Sequence, residues 1–202
     1  MKATKFFRMF CTICSILLLF IFIFKCSGDQ PTDIKETFTG ITQTDETGPE
    51  PIFEDPDDWK HDTNWKYSDL YLALKDSIEI IPFVPDTIPE DTIGENIVIK
   101  HPNDFSIAPA YPNPTTGYCN ITFTIPAYSE VVIFIIDRAH NIIRKLVLAT
   151  HSMGIYRVQF DSSNEDGELV ESGIYRCVYR FEDKQTGEYG VFHGHGDIQI
   201  EK

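Results

Sequence analysis

Between Cys119 and Phe181 the chain alternates apolar and polar residues in short runs, and turn-forming stretches separate the runs. A period of two places every second side chain on one face, which suits a strand and not a helix. Cys119, Ile121, Phe123 and Ile125 alternate, and Pro126–Glu130 reads as a turn. Val131 to Ile136 is a nearly continuous apolar run, expected of a central strand. Arg138–Asn141 turns the chain into Ile142–Leu148, and a loop at Thr150–Gly154 follows. Ile155–Phe160 alternates again, then Asp161–Gly167 turns. Gly173–Phe181 carries Tyr175, Cys177, Tyr179 and Phe181 on one face, Lys184–Glu188 turns, and Tyr189–Ile200 ends the pattern. Six or seven short strands in about a hundred residues, with no helical period between them, predict an all-β sandwich. Parallel α/β folds are disfavoured, because they need helices between strands.

The other end of the chain constrains its address. Lys2, Lys5 and Arg8 precede Met9–Phe24, a mostly apolar run. As a helix that run would span roughly 24 Å, short of the ~30 Å hydrocarbon core, so a signal segment is expected over residues 1–28. Three exits are open. Cys26, followed by Ser27, Gly28 and Asp29, is placed like the lipidated cysteine of bacterial lipoproteins. Small residues also permit ordinary cleavage after Gly28, and an uncleaved anchor is the third exit. Each exports the rest of the chain to the cell envelope, with the outer membrane or cell surface as the expected place.

The formal charge is −14, unevenly spread. Residues 29–100 hold 18 acids against 5 lysines, whereas residues 101–202 hold 13 acids against 8 bases. Such a chain repels phosphate backbones, so nucleic acid is not an expected partner. Residues 29–104 read as an acidic, largely disordered tether, because apolar residues are too sparse to offset the ordering entropy over residues 29–58. Within it, residues 59–81 hold a small aromatic cluster with Trp59, Trp65, Tyr67 and Tyr71. Ser68–Ile81 fits a short helix capped by Ser68, with Leu70, Leu74 and Ile78 on one face, and equally a strand with Leu70, Leu72 and Leu74 alternating. The cluster is expected to pack on the C-terminal domain, residues 105–202; a partner-binding patch is the rival reading. A further strand is predicted at Asn96–Lys100.

Cys11 and Cys14 lie in the signal and leave Cys119 and Cys177 in the exported body. Two readings stay open for them: a disulfide in an oxidising compartment, or two buried thiols. His193, His195 and Asp197 are two apart on a predicted strand and share a face, a spacing that suits a divalent metal. The alternative is a bulged or twisted last strand, marked by its glycines, with polar residues outward. Asp161–Gly167 lacks calcium-loop spacing and reads as a hairpin turn. Nucleophile elbows, phosphate loops and HExxH are absent from the sequence, so a non-enzymatic protein without a cofactor is expected.

The stretch AYPNPTTG, Ala110–Gly117, stands where the strands begin. Pro112 and Pro114 restrict their own backbone and that of the residues before them. Asn113 can close a local turn, and Gly117 permits an angle that other residues resist. After it come Ile135-Ile136-Asp137, then Gly154-Ile155-Tyr156 through Phe160-Asp161, then Glu165-Asp166-Gly167 and Glu171-Ser172-Gly173-Ile174-Tyr175. This ordered set resembles the FlgD-type immunoglobulin-like domain and the similar type A C-terminal sorting domain of type IX secretion (Por). The resemblance spans about residues 105–200. It implies an immunoglobulin-like fold, with Tyr111, Pro112, Asn113, Pro114, Gly173 and Tyr175 at the family's motif positions. For function it implies an envelope module with a structural or interaction role, or an address for export.

Overall fold

A computed structural model describes residues 40–81 and 102–202. The predicted strand at Asn96–Lys100, the signal segment and Cys26 lie outside these residues. In chain order the elements are β1 (Gln43–Asp45), β2 (Gly48–Phe53), β3 (Lys60–His61), α1 (Ser68–Leu74), β4 (Ser106–Ile107), β5 (Cys119–Ile125), β6 (Ser129–Ile136), β7 (Ile142–His151), β8 (Gly154–Phe160), β9 (Gly173–Asp183) and β10 (Val191–Ile200). A 3-10 turn, Lys75–Ser77, follows α1.

The described residues are mostly β, in antiparallel sheets. One sheet runs β3-β10-β9-β6-β7, a second runs β4-β5-β8, and β1 pairs with β2 as a separate ribbon. The two larger sheets share a core. The smaller contributes Ile107, Ile121, Phe123, Ile125 and Phe160; the larger contributes Val131, Ile133, Ile135, Cys177, Tyr179, Phe181, Ile198 and Ile200. These are the in-facing positions of the alternating runs, so the period of two set which side chains meet.

The β6 strand is buried at every residue. Val131, Ile133 and Ile135 face the shared core, while Val132, Phe134 and Ile136 face the other way, onto a second cluster with Tyr67, Tyr71 and Leu74. The aromatic segment thus covers the outer face of the large sheet, as expected, and its ambiguity resolves to a helix. Period cannot choose over so short a span; burial of Tyr71 and Leu74 against β6 and β9 does. Ser68 is not the cap: the N-cap is Tyr67, with no side-chain capping bond.

The unfolded spacer expected over residues 29–58 is corrected over residues 40–58. Thr42, Thr44, Asp58 and Trp59 are buried. Thr44 and Asn113 exchange backbone hydrogen bonds, and Trp59 N–H donates to the His195 carbonyl at 2.7 Å. Composition under-read this segment because its few apolar and hydroxyl side chains dock into a core supplied by residues far along the chain.

Candidate functional site

The chemistry-bearing residues converge along β10 and the segment that wraps it. Trp59 belongs to the shared core and lies near-parallel to the Tyr179 ring, 6.5 Å between centroids. Lys60 and His61 then pair along the free edge of β10. Trp65 and Tyr67 emerge on the opposite face of the sheet, where Trp65 stacks on His193 at 4.9 Å and Tyr67 meets His195 edge-on at 6.1 Å. The segment therefore passes around the β10 edge from the core side to the outer side.

The HGHG pattern has its cause here. A Cβ on Gly196 would lie 2.2 Å from the Trp59 ring, and one on Gly194 would lie 2.1 Å from the Lys60 carbonyl oxygen. The β9–β10 register runs unbroken from Val191↔Glu182 to Ile200↔Gly173. The expected bulge is thus corrected: the glycines clear space for Trp59 and β3.

His193, His195 and Asp197 do share a face, but they form no ligand set. Asp197 is 1% exposed, and both its oxygens are engaged by Arg176: Nε to Oδ1 at 2.7 Å and Nη2 to Oδ2 at 2.9 Å. The two residues are direct cross-strand partners. Arg176 Nη1 also donates to Tyr67 Oη at 2.8 Å. His195 Nδ1 lies 3.8 Å from Asp62. His193 packs against Trp65 and His61; burial first and the His61 charge second lower its pKa. Among the described residues no three His, Cys, Asp or Glu side chains are grouped to hold a metal.

A second clasp lies beside the first. Tyr71 Oη donates to Glu130 Oε1 at 2.8 Å, Arg180 Nη1 donates to the same oxygen at 3.1 Å, and the Arg180 guanidinium sits 4.3 Å from the Tyr71 ring centroid. Arg180 and Lys184 also pair with Glu182. Two arginines of β9 thus tie α1 and its approach to the sheet through tyrosines.

Asn113 is the second convergence. It is fully buried, and its Nδ2 donates to the carbonyls of Thr42 and Asp197, both at 2.9 Å, while Oδ1 accepts from Gln199 N–H at 2.9 Å. The expected local turn is corrected: this side chain joins the N-terminal segment to β10. Tyr111–Pro112 and Asn113–Pro114 are cis peptide bonds. Tyr111 is buried and trades backbone hydrogen bonds with Asn120. Gly117 does not use a special angle; the positive-φ glycines described are Gly167, Gly187 and Gly190.

The two Gly-Ile-Tyr sequences share one construction. Tyr156 Oη donates to the Ser152 carbonyl at 2.8 Å, and Tyr175 Oη donates to the Glu171 carbonyl at 3.0 Å, each four residues back. Both rings fold over the glycine two residues earlier: a Cβ on Gly154 would lie 3.3 Å from Tyr156, and one on Gly173 3.8 Å from Tyr175. Cys119 and Cys177 are unbonded thiols, fully buried in the shared core. Burial pushes the Cys119 thiol up to about 12 and Cys177 well above the ordinary range, so both stay protonated. Asp161–Gly167 is a turn, organised by Asn164 Oδ1 accepting from Asp166 and Glu168 N–H.

Arg176 and Asp58 carry much of this site and were not singled out from sequence, whereas Tyr67 was read only as part of the aromatic cluster. Arg176 and Arg180 flank Val178 on the face opposite Tyr179, and such a face reads as solvated until the register puts Asp197 beside Arg176. A recess of about 140 Å³ at the β3 edge, lined by His61, Phe105 and Phe192, is small beside the ~300 Å³ of an ordinary ligand pocket. Comparison with protein-family models and with curated proteins finds no match to this chain.

Proposed function

We propose that this chain is an exported bacterial cell-envelope protein, lipid-anchored at Cys26, presenting an immunoglobulin-like sandwich as a non-enzymatic structural or interaction module. The N-terminal basic and apolar run with Cys26 behind it supports the address. The motif order from Tyr111 to Tyr175 and the two sheets around one core support the immunoglobulin-like reading. A shared fold does not fix a partner, so the partner is an envelope protein or surface of unspecified identity.

The observation that carries the reading is the docking of residues 40–81 into the domain. Those residues pack as part of the module rather than hanging from it as a free spacer.

Export by type IX secretion through the C-terminal domain is the second reading, and the motif order favours it. Mass spectrometry of the mature termini, with fractionation of native cells, separates the two. The anchor reading expects a lipid adduct on Cys26 and an intact Lys202 in the membrane fraction. An unmodified N-terminus beginning at Asp29 removes the anchor, and loss of residues after about Ile107 establishes the sorting reading.

A further inference from the structure

The clasps do not explain the placement of Asp58. It is 5% exposed. Its Oδ2 accepts from Thr42 N–H at 3.1 Å and its Oδ1 from Asp197 N–H at 3.3 Å. The carboxyl thus stitches the N-terminal segment to β10. Buried carboxylates are ordinarily paired with a cation. Among the described residues no ion pair is made by Asp58; the guanidinium of Arg176 is engaged by the Asp197 carboxylate and Tyr67.

The charged and titratable groups around it are mostly acidic. Asp197 on β10 donates its own amide to Asp58, and Asp55 lies on the same segment. Asp62 lies further along the wrap, His195 stands on β10 3.8 Å from it, and Tyr179 and Cys177 lie on β9. Burial, then the Asp197 charge, push the Asp58 carboxyl up to about 7; the two amide bonds oppose this and are outweighed. Next to it Trp59 holds a φ of 59°, a left-handed backbone that a bulky side chain adopts only under strong restraint. The docked segment is therefore held against a backbone penalty and, when Asp58 ionises, against a charge penalty as well.

We propose that docking of residues 40–62 onto β10 is proton-linked: Asp58 is protonated when the segment is docked, so the wrap holds firmly in acid and loosens as pH rises toward neutrality. The undocked carboxyl ionises in the ordinary range near 4 and the docked one about three units higher, so the docked state binds the extra proton between those values. On undocking in that window the proton leaves to solvent. The docking constant then falls about tenfold per pH unit between roughly pH 5 and 7 and levels off above, since both states are ionised there. Loosening would withdraw Trp59 from the shared core and free the Gly196 face of β10.

Three readouts on the detergent-solubilised full chain test this. A carbon-detected titration of the Asp58 carboxyl is expected to give a midpoint near neutrality. Exchange protection of the Thr42 and Asp197 amides, corrected for intrinsic rates, is expected to fall by tens of fold from about pH 5 to 7. In a Trp65→Phe background, where Trp59 is the sole tryptophan, its emission is expected to move toward that of a wet indole over the same interval. Asp58→Asn should flatten the last two profiles. An Asp58 midpoint below about 5, flat wild-type protection, or a pH dependence that survives Asp58→Asn and so belongs to His195 and Asp62, would each overturn the proposal. If Asp58→Asn does not fold, the wild-type carboxyl titration decides alone.

Discussion

Asn113 has no exposed surface, and its three side-chain bonds reach Thr42, Asp197 and Gln199. Asn113→Ala leaves two carbonyls and one amide without these partners, at about 1–3 kcal/mol for each group that water cannot reach. Loss of at least about 3 kcal/mol in urea denaturation is expected, and a loss under 1 would show that water replaces the side chain. Asp197 sets a different problem. Removing its guanidinium by Arg176→Ala strands a buried carboxylate beside Asp58, and about 3–5 kcal/mol of destabilisation is expected by the same measurement. The double change Arg176→Met with Asp197→Leu should cost clearly less, because it strands no charge. Neither role was legible in the sequence. Asn113 sits 71 residues from Thr42 and 84 from Asp197, and a side chain that caps a local turn has the same local sequence as one that spans segments.

At the scale of elements, β10 and its wrap are set by what is missing at Gly194 and Gly196. Gly196→Ala drives a methyl into the Trp59 ring, so Trp59 must leave its site. Red-shifted tryptophan emission with cooperative unfolding at lower urea is expected; an unshifted spectrum would mean that the ring has room to slide. The α1 helix depends on its contacts rather than its caps, as it is only seven residues long and has no capping side chain. Leu74→Ala, at 4% exposure against the outer face of β6, is expected to cost about 2–5 kcal/mol in denaturation. The β9–β10 hairpin responds to acid. Burial works to raise the Asp183 carboxyl, but bonds from Thr186 Oγ1 and the amides of Thr186, Gln185 and Tyr189 outweigh it and take it down to about 2. A depressed carboxyl stabilises the fold fully above the ordinary carboxylate range and loses that contribution as pH falls toward 2. Protection of the Gln185 and Thr186 amides should accordingly decline from about pH 4 downward. Asp183→Asn should remove that decline.

For the whole molecule, the domain extends well ahead of the YPNP stretch. A fragment of residues 102–202 lacks Trp59 in the core, the partners of Asn113, and the cover over Val132, Phe134, Ile136 and Val178. It is expected to aggregate or bind a hydrophobic dye, whereas residues 40–202 should give a dispersed amide spectrum; a monomeric, cooperatively folding short fragment would contradict the boundary. Alternation along β5, β8 and β9 was enough to predict strands, their in-facing residues and an all-β chain, because pleat geometry is local. The continuous apolar run of β6 announced a central strand, but not that its second face waits for Tyr71 and Leu74. Acidic composition made residues 40–58 look unfolded, since composition counts apolar residues without knowing how well each is buried. The sequence by itself determined the periods, the turns and the positions of the prolines and glycines, all of which act within a few residues. Tertiary structure alone decided that Asp197 pairs with Arg176, that Trp59 lies on Gly196 and that Asn113 joins distant segments. The first depends on the register of two strands whose partners are 21 residues apart, and the other two on chain closure over some seventy residues or more, which no local pattern encodes.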